Sequence, residues 1–154
     1  MRAHVIGIAT VMVALIAPSV FADTPSPPPF QRAAPPKAPD GESEYNRGVR
    51  ARVVKDWPVA IDAFQKVVKA RPSFPDAWNE LGFALRNVGR YPESLKAYDE
   101  ALRLKPDYPE AIEYLGEAYV KLGRLEDARK MLERLRGLDA RRAQDLAAVI
   151  DSAK

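Results

Sequence analysis

From residue 41 onward the chain repeats itself every 34 residues, and this period constrains its fold more than any other feature. Gly48, Gly82 and Gly116 stand in one column. Ala60, Ser94 and Ala128 form a second, Phe64, Tyr98 and Leu132 a third, and Trp57, Tyr91 and Leu125 a fourth. Pro72 falls over Pro106, and the segments 75–108 and 109–142 share Pro75/Pro109, Ala77/Ala111, Leu81/Leu115 and Gly89/Gly123. A unit this short cannot bury its apolar face alone, so its copies must stack on one another.

Each period reads as two helices. In the middle copy Trp78, Leu81, Gly82 and Leu85 fall at helical spacing and make one packing stripe. Asn87-Val88-Gly89-Arg90 turns the chain, with Gly89 suited to the left-handed position that ends a helix. Pro92 then sits in a first turn, where its missing N–H costs nothing. Leu95, Tyr98, Ala101 and Leu102 form the second stripe, Pro106 breaks it, and Gly82 opposite Ala101 predicts a close approach of the two helices. No alternating apolar run with hairpin turn chemistry is present, so no strand is expected.

These residues resemble the tetratricopeptide repeat (TPR) family, whose signature stands here as Trp78, Leu81-Gly82, Ser94 in the alanine column, Tyr98, Ala101 and Pro106. The third copy matches at Leu115-Gly116, Tyr119, Ala128 and Leu132, with Ala140 in place of the proline. The first matches at Gly48, Ala60, Phe64 and Pro72, with Glu44 and Arg47 in the columns of Trp78 and Leu81. Polar residues suit the outer helix of a terminal repeat, which has no neighbour on one side. The resemblance covers 41–142 and implies an all-α fold: a right-handed superhelix of three antiparallel helix pairs. The repeats are expected at 41–74, 75–108 and 109–142, and Arg141–Ala153 is expected as a seventh, capping helix over the last pair.

Residues 1–22 read as an export signal. Arg2 and the amino terminus supply positive charge, residues 5–17 are an apolar run, and Val20-Phe21-Ala22 offers small residues before a cut ahead of Asp23. At about 1.5 Å each, those apolar residues span roughly 20 Å, short of a hydrocarbon core of about 30 Å. Cleavage is therefore expected, with an uncleaved membrane attachment as the alternative. No cysteine follows the run, so a lipid anchor is not expected. The protein is expected to be exported: periplasmic if the cell has an outer membrane, otherwise secreted. Residues 23–40 hold seven prolines and read as a semi-rigid linker of up to about 55 Å. Pro27-Pro28-Pro29-Phe30 within it has the composition of a docking peptide, but the plain-spacer reading is preferred.

The chain has no cysteine, and its one histidine, His4, would leave with the signal. This argues against Ser-His, Cys-His and zinc enzymes. No phosphate-cradling or dinucleotide-binding glycine motif is present, and Glu113 and Glu117 share one helix without an opposing acid. Neither catalysis, a cofactor nor a metal is expected. The net charge of +3, from 24 basic and 21 acidic residues, is too small and too mixed for a nucleic-acid binder.

The resemblance instead implies a concave groove, lined mainly by the first helix of each repeat, that binds peptides or partner proteins. Residues of those helices off the packing stripes are the groove candidates: Tyr45, Val49 and Arg52, then Asn79, Phe83, Arg86 and Asn87, then Glu113, Tyr114 and Glu117. Phe83, Tyr45 and Tyr114 have two readings, as aromatic anchors facing the groove or as packing between neighbouring helices. Some members of the family clamp acidic C-terminal tails of chaperones with cationic and amide side chains. The corresponding columns here carry Tyr45, Val49, Glu80, Glu110 and Tyr114, so that function is not expected to transfer. Glu110, Glu113 and Glu117 lie on one helix face, read as solvated in preference to a patch for a basic partner. Arg129, Lys130, Arg134, Arg136, Arg141 and Arg142 read as the wet side of late helices, in preference to a membrane or acidic-partner patch. The expected function is a non-enzymatic module that binds a peptide or helix of a cell-envelope or secretion partner. The alternatives are a self-associating scaffold and a membrane-attached assembly factor.

Overall fold

The computed structural model describes residues 40–153; the export signal and nearly all of the expected linker lie outside the described residues. Seven helices and no strand occur among the described residues: α1 (Asp40–Val53), α2 (Trp57–Ala70), α3 (Pro75–Asn87), α4 (Tyr91–Leu104), α5 (Pro109–Lys121), α6 (Leu125–Arg136) and α7 (Ala140–Ser152). Prolines set several starts. Pro58, Pro75, Pro92 and Pro109 occupy first-turn positions of α2 to α5, where no N–H is needed. The residue before Pro75 and before Pro109 is driven to extended backbone, which holds Phe74 and Tyr108 outside the helices they precede.

The turn inside each pair is built three times in the same way. Asp56 N–H donates to Ala51 C=O at 2.8 Å, Arg90 to Leu85 at 2.9 Å and Arg124 to Tyr119 at 2.9 Å, closing off each first helix. The residue at the apex has positive φ in all three: Lys55 (58°), Gly89 (77°) and Gly123 (72°).

α1 packs on α2, α3 on α4 and α5 on α6. The first helices also touch one another in series, α1 with α3 and α3 with α5, and α7 joins this row against α5. Among α2, α4 and α6 none touches another. Helix pairs that meet along one side and splay along the other form a curved stack whose touching row lines the inner face. Two apolar clusters fill it, one centred on α1 to α4 and one on α4 to α7, with Trp78 packed against both.

The glycine column marks where helices approach most closely, and here the structure corrects one expectation. Against Gly82 stands Tyr98 rather than Ala101: a Cβ on Gly82 would lie 2.7 Å from the ring. Gly48 faces Phe64 in the same manner. At Gly116 the neighbour is Leu146 of α7, not Leu132 of the ring column. Leu132 is shorter than the rings of Phe64 and Tyr98, and α7 supplies the side chain that fills the place. α7 starts at Ala140, where the earlier copies carry Pro72 and Pro106 in the connecting loop.

Candidate inner-face binding site

An aromatic row joins the inner helices α3 and α5 to the start of α2 and the core. The Phe83 ring lies 5.9 Å from Trp57 and 5.0 Å from Tyr114, and Tyr114 lies 6.3 Å from the buried Tyr98. Tyr45 forms a second group with Phe64 at 5.8 Å and Phe74 at 5.1 Å. Phe83, Tyr45 and Tyr114 are half-buried, so each ring packs on a neighbour and keeps part of its surface open. The two readings of these aromatics are therefore not exclusive. Val49 is half-buried against the first apolar cluster.

Ion pairs join the inner helices to one another. Arg52 on α1 places Nε 3.2 Å from Glu80 Oε2 on α3. Arg86 on α3 pairs with Glu117 on α5, and Arg142 on α7 pairs with Glu113 on α5. The Arg52 guanidinium also lies over Phe83 at 5.6 Å, and that of Arg86 over Phe83 at 5.3 Å and Tyr114 at 5.1 Å. A guanidinium above a ring gains about 0.5–2 kcal/mol.

Burial dominates the electrostatics of these groups. It raises the Glu80 carboxyl above the usual range; Arg52 pulls it down, but Glu110 and Asp76 push it further up. Burial likewise raises Glu113, against the opposing pull of Arg142. The phenols of Tyr45 and Tyr114 are pushed up to about 12, first by burial and then by neighbouring carboxylates.

Of the ten candidates, Arg52, Phe83, Arg86, Tyr114 and Glu117 come together in one continuous patch. Asn87 is exposed at its end, its Nδ2 donating to Phe83 C=O at 2.8 Å. Two candidates lie elsewhere than expected. Asn79 is 1% exposed with its Oδ1 unbonded, and Glu113 is 6% exposed. Both sit in the column of Tyr45, and Glu113 is tied to Arg142 of α7, the next inner helix. The solvated-face reading of Glu110, Glu113 and Glu117 is corrected accordingly, since Glu113 and Glu117 are each bound to an arginine of a neighbouring helix.

The basic run is also partnered. Arg129 pairs with Glu126, Lys130 with Asp127 (2.8 Å) and Arg136 with Glu133 (2.7 Å), and Arg134 donates to Pro106 C=O at 2.8 Å. Sequence reasoning missed Phe74 and Tyr108 as site residues. They share the column that also holds Arg142, a signal hidden because it falls in the loop between helices.

Among the described residues, no group of three or more His, Cys, Asp or Glu side chains could hold a metal ion, and no helix is long and apolar enough to cross a membrane.

Two family models described as tetratricopeptide repeat match the chain, over residues 45–109 and 85–150. No curated protein sequence matches it. Solved structures with the same fold include the yeast Sti1 TPR2B domain in complex with pHsp70, at a TM-score of 0.70 and 20% identity over 74% of this chain and 98% of that one. A second is the human RPAP3 second TPR domain with the HSP70 peptide SGPTIEEVD, at 0.68 and 22% over 72% and 94%. A third is PcrH in complex with the chaperone binding region of PopD, at 0.67 and 20% over 73% and 89%.

Proposed function

Because the chain belongs to the tetratricopeptide repeat family, we propose that it is a non-enzymatic protein-interaction module whose inner face, formed by α1, α3, α5 and α7, holds a peptide or helix of a partner protein. The observation that carries this reading is the row of half-buried rings on that face, with Phe83 at its centre and charged side chains around it. Rings fixed by their neighbours but open on one side lose little entropy when a ligand covers them, as binding anchors do. The solved structures support the same reading, since each of the three is a complex with a peptide or with a segment of another protein. The partner is met outside the cytoplasm, on the strength of the export signal read in residues 1–22.

Placing a photo-crosslinking residue at Asn87, exposed at the end of the inner patch, and at Lys96, exposed on α4, tests the reading in the native extracytoplasmic fraction. The expected result is a protein adduct at position 87 and none at 96. Equal labelling at both positions, or labelling at 96 alone, would sink it.

One observation favours the self-associating scaffold as a second reading. Val54, Val88 and Leu122 share a column at the turns inside the three pairs and are 74%, 40% and 39% exposed, forming an apolar edge. Sedimentation equilibrium separates the two, because the groove reading requires a monomer at micromolar concentration.

A further inference from the structure

The turns inside the three pairs carry apolar side chains to one edge of the stack. Val54, Val88 and Leu122 repeat there in one column, and Val53, beside the first, is 72% exposed. A hydrophobic contact at a helix end accounts for the partly covered Val88 and Leu122. It does not account for two adjacent valines left mostly in water. The edge also stands clear of its own chain, since a Cβ added at Gly89 or Gly123 would meet nothing within 4 Å.

Cations stand among these side chains. Arg50, Lys55 and Lys121 are exposed at the same turns, and among the described residues none of the three enters an ion pair. Lys55 takes positive φ in the place that Gly89 and Gly123 fill without strain, so a lysine is kept at the apex where glycine is the easier residue. The acids of the edge are already engaged. Asp56 accepts from Val59 N–H at 3.3 Å, Glu93 is held by Arg90, and Asp127 by Arg124 (2.7 Å) and Lys130 (2.8 Å). Apolar tips interleaved with unpaired cations fit an anionic bilayer, which offers hydrocarbon to the first and phosphate to the second. The long Lys and Arg stems let both be met together. A second copy of the chain fits worse, because edge against edge it brings the same cations together.

We propose that this turn edge seats on an anionic lipid surface, with Val53, Val54, Val88 and Leu122 entering the headgroup layer and Arg50, Lys55 and Lys121 meeting lipid phosphate. The contact uses no residue of the inner-face patch, so it stands or falls apart from the groove reading. It assigns to lipid the edge that self-association would otherwise use.

The chain has no cysteine, so an NBD label on a single introduced cysteine reads one position. The full chain is labelled at Val88→Cys, or at Lys96→Cys on α4, and mixed with vesicles of phosphatidylcholine alone or with one-third phosphatidylglycerol. NBD emission is expected to rise and shift to the blue at position 88, with the mixed vesicles only, and to stay unchanged at 96. In the chain labelled at 88, Val53→Ser with Val54→Ser should abolish most of the rise. Lys55→Gln with Lys121→Gln should increase the lipid needed for half of it about thirtyfold. All of these positions are exposed, so the core is left untouched. No rise at 88 with either vesicle overturns the proposal, as does an equal rise with phosphatidylcholine alone or at 96. A charge variant that responds like the parent chain overturns it too. A rise without lipid that grows with protein concentration also overturns it and assigns the edge to a second copy. Because the label reads one position, attachment through residues 1–22 does not mimic the expected result.

Discussion

Lys55 has the backbone conformation that Gly89 and Gly123 have in its column, with a side chain that makes this conformation costly. Lys55→Gly should stabilise the protein by about 0.5–1 kcal/mol in urea unfolding, and Gly89→Ala should destabilise it by about 1 kcal/mol although its surroundings are open. Gly82 fails for a different reason. A methyl there meets the Tyr98 ring at 2.7 Å, and because that ring is fully buried it has nowhere to move. Gly82→Ala should cost about 1–3 kcal/mol, read from the same unfolding midpoints. The turn glycines were legible because a helix end followed by Gly has one usual backbone reason. Lys55 was legible only through the period, since nothing about a lysine announces positive φ. Asn79 and Glu113 were misread because helical spacing tells which residues leave the packing stripe, not whether the next helix in the stack covers them.

Helices in this chain are stable as pairs and rows rather than singly. α7 shows this most directly, since its Leu146 is fully buried against Gly116 of α5 and takes the place that a ring fills in the earlier pairs. Leu146→Ala should destabilise the protein by about 2–5 kcal/mol, and circular dichroism during thermal unfolding would show it as a lowered midpoint. A melting curve unchanged by that substitution would mean α7 is not part of the cooperative stack. Helix positions in the three pairs were legible because Pro and Gly punctuate an apolar pattern of helical period. That α7 caps the last pair was legible as well, but its contact at Gly116 was not, because Leu146 lies outside the period and Gly116 belongs to another helix. Ser94 shows the limit of column reasoning in the other direction. It stands among alanines, yet its Oγ donates to Gly82 C=O at 2.9 Å, a bond between the two helices of one pair.

The stack as a whole half-buries Tyr45 and Tyr114. Tyr45 and Tyr114 hold their protons up to about 12 when folded, against about 10 when unfolded. A folded-state value raised in this way contributes stability that is fully present below pH 10 and is lost as pH rises toward 12. The part of the 295 nm phenolate absorbance that a Tyr45→Phe, Tyr114→Phe variant lacks should therefore appear late and together with loss of helical dichroism; its early appearance in a still-helical protein would contradict the burial. The site was half legible at this scale. Its aromatic helix residues could be found from the stripes, but Phe74, Tyr108 and the pairing of every inner arginine depend on how successive pairs stack. That stacking has a consequence of its own. Each neighbouring pair of inner helices is stitched by one ion pair, Arg52 to Glu80, Arg86 to Glu117 and Glu113 to Arg142, while the outer helices are not stitched to one another at all. Successive helix pairs of the stack are therefore tied by charge along their inner side. A partner that takes one of those carboxylates from its arginine loosens a tie, so how firmly the inner helices hold together and what they grip depend on the same few charges.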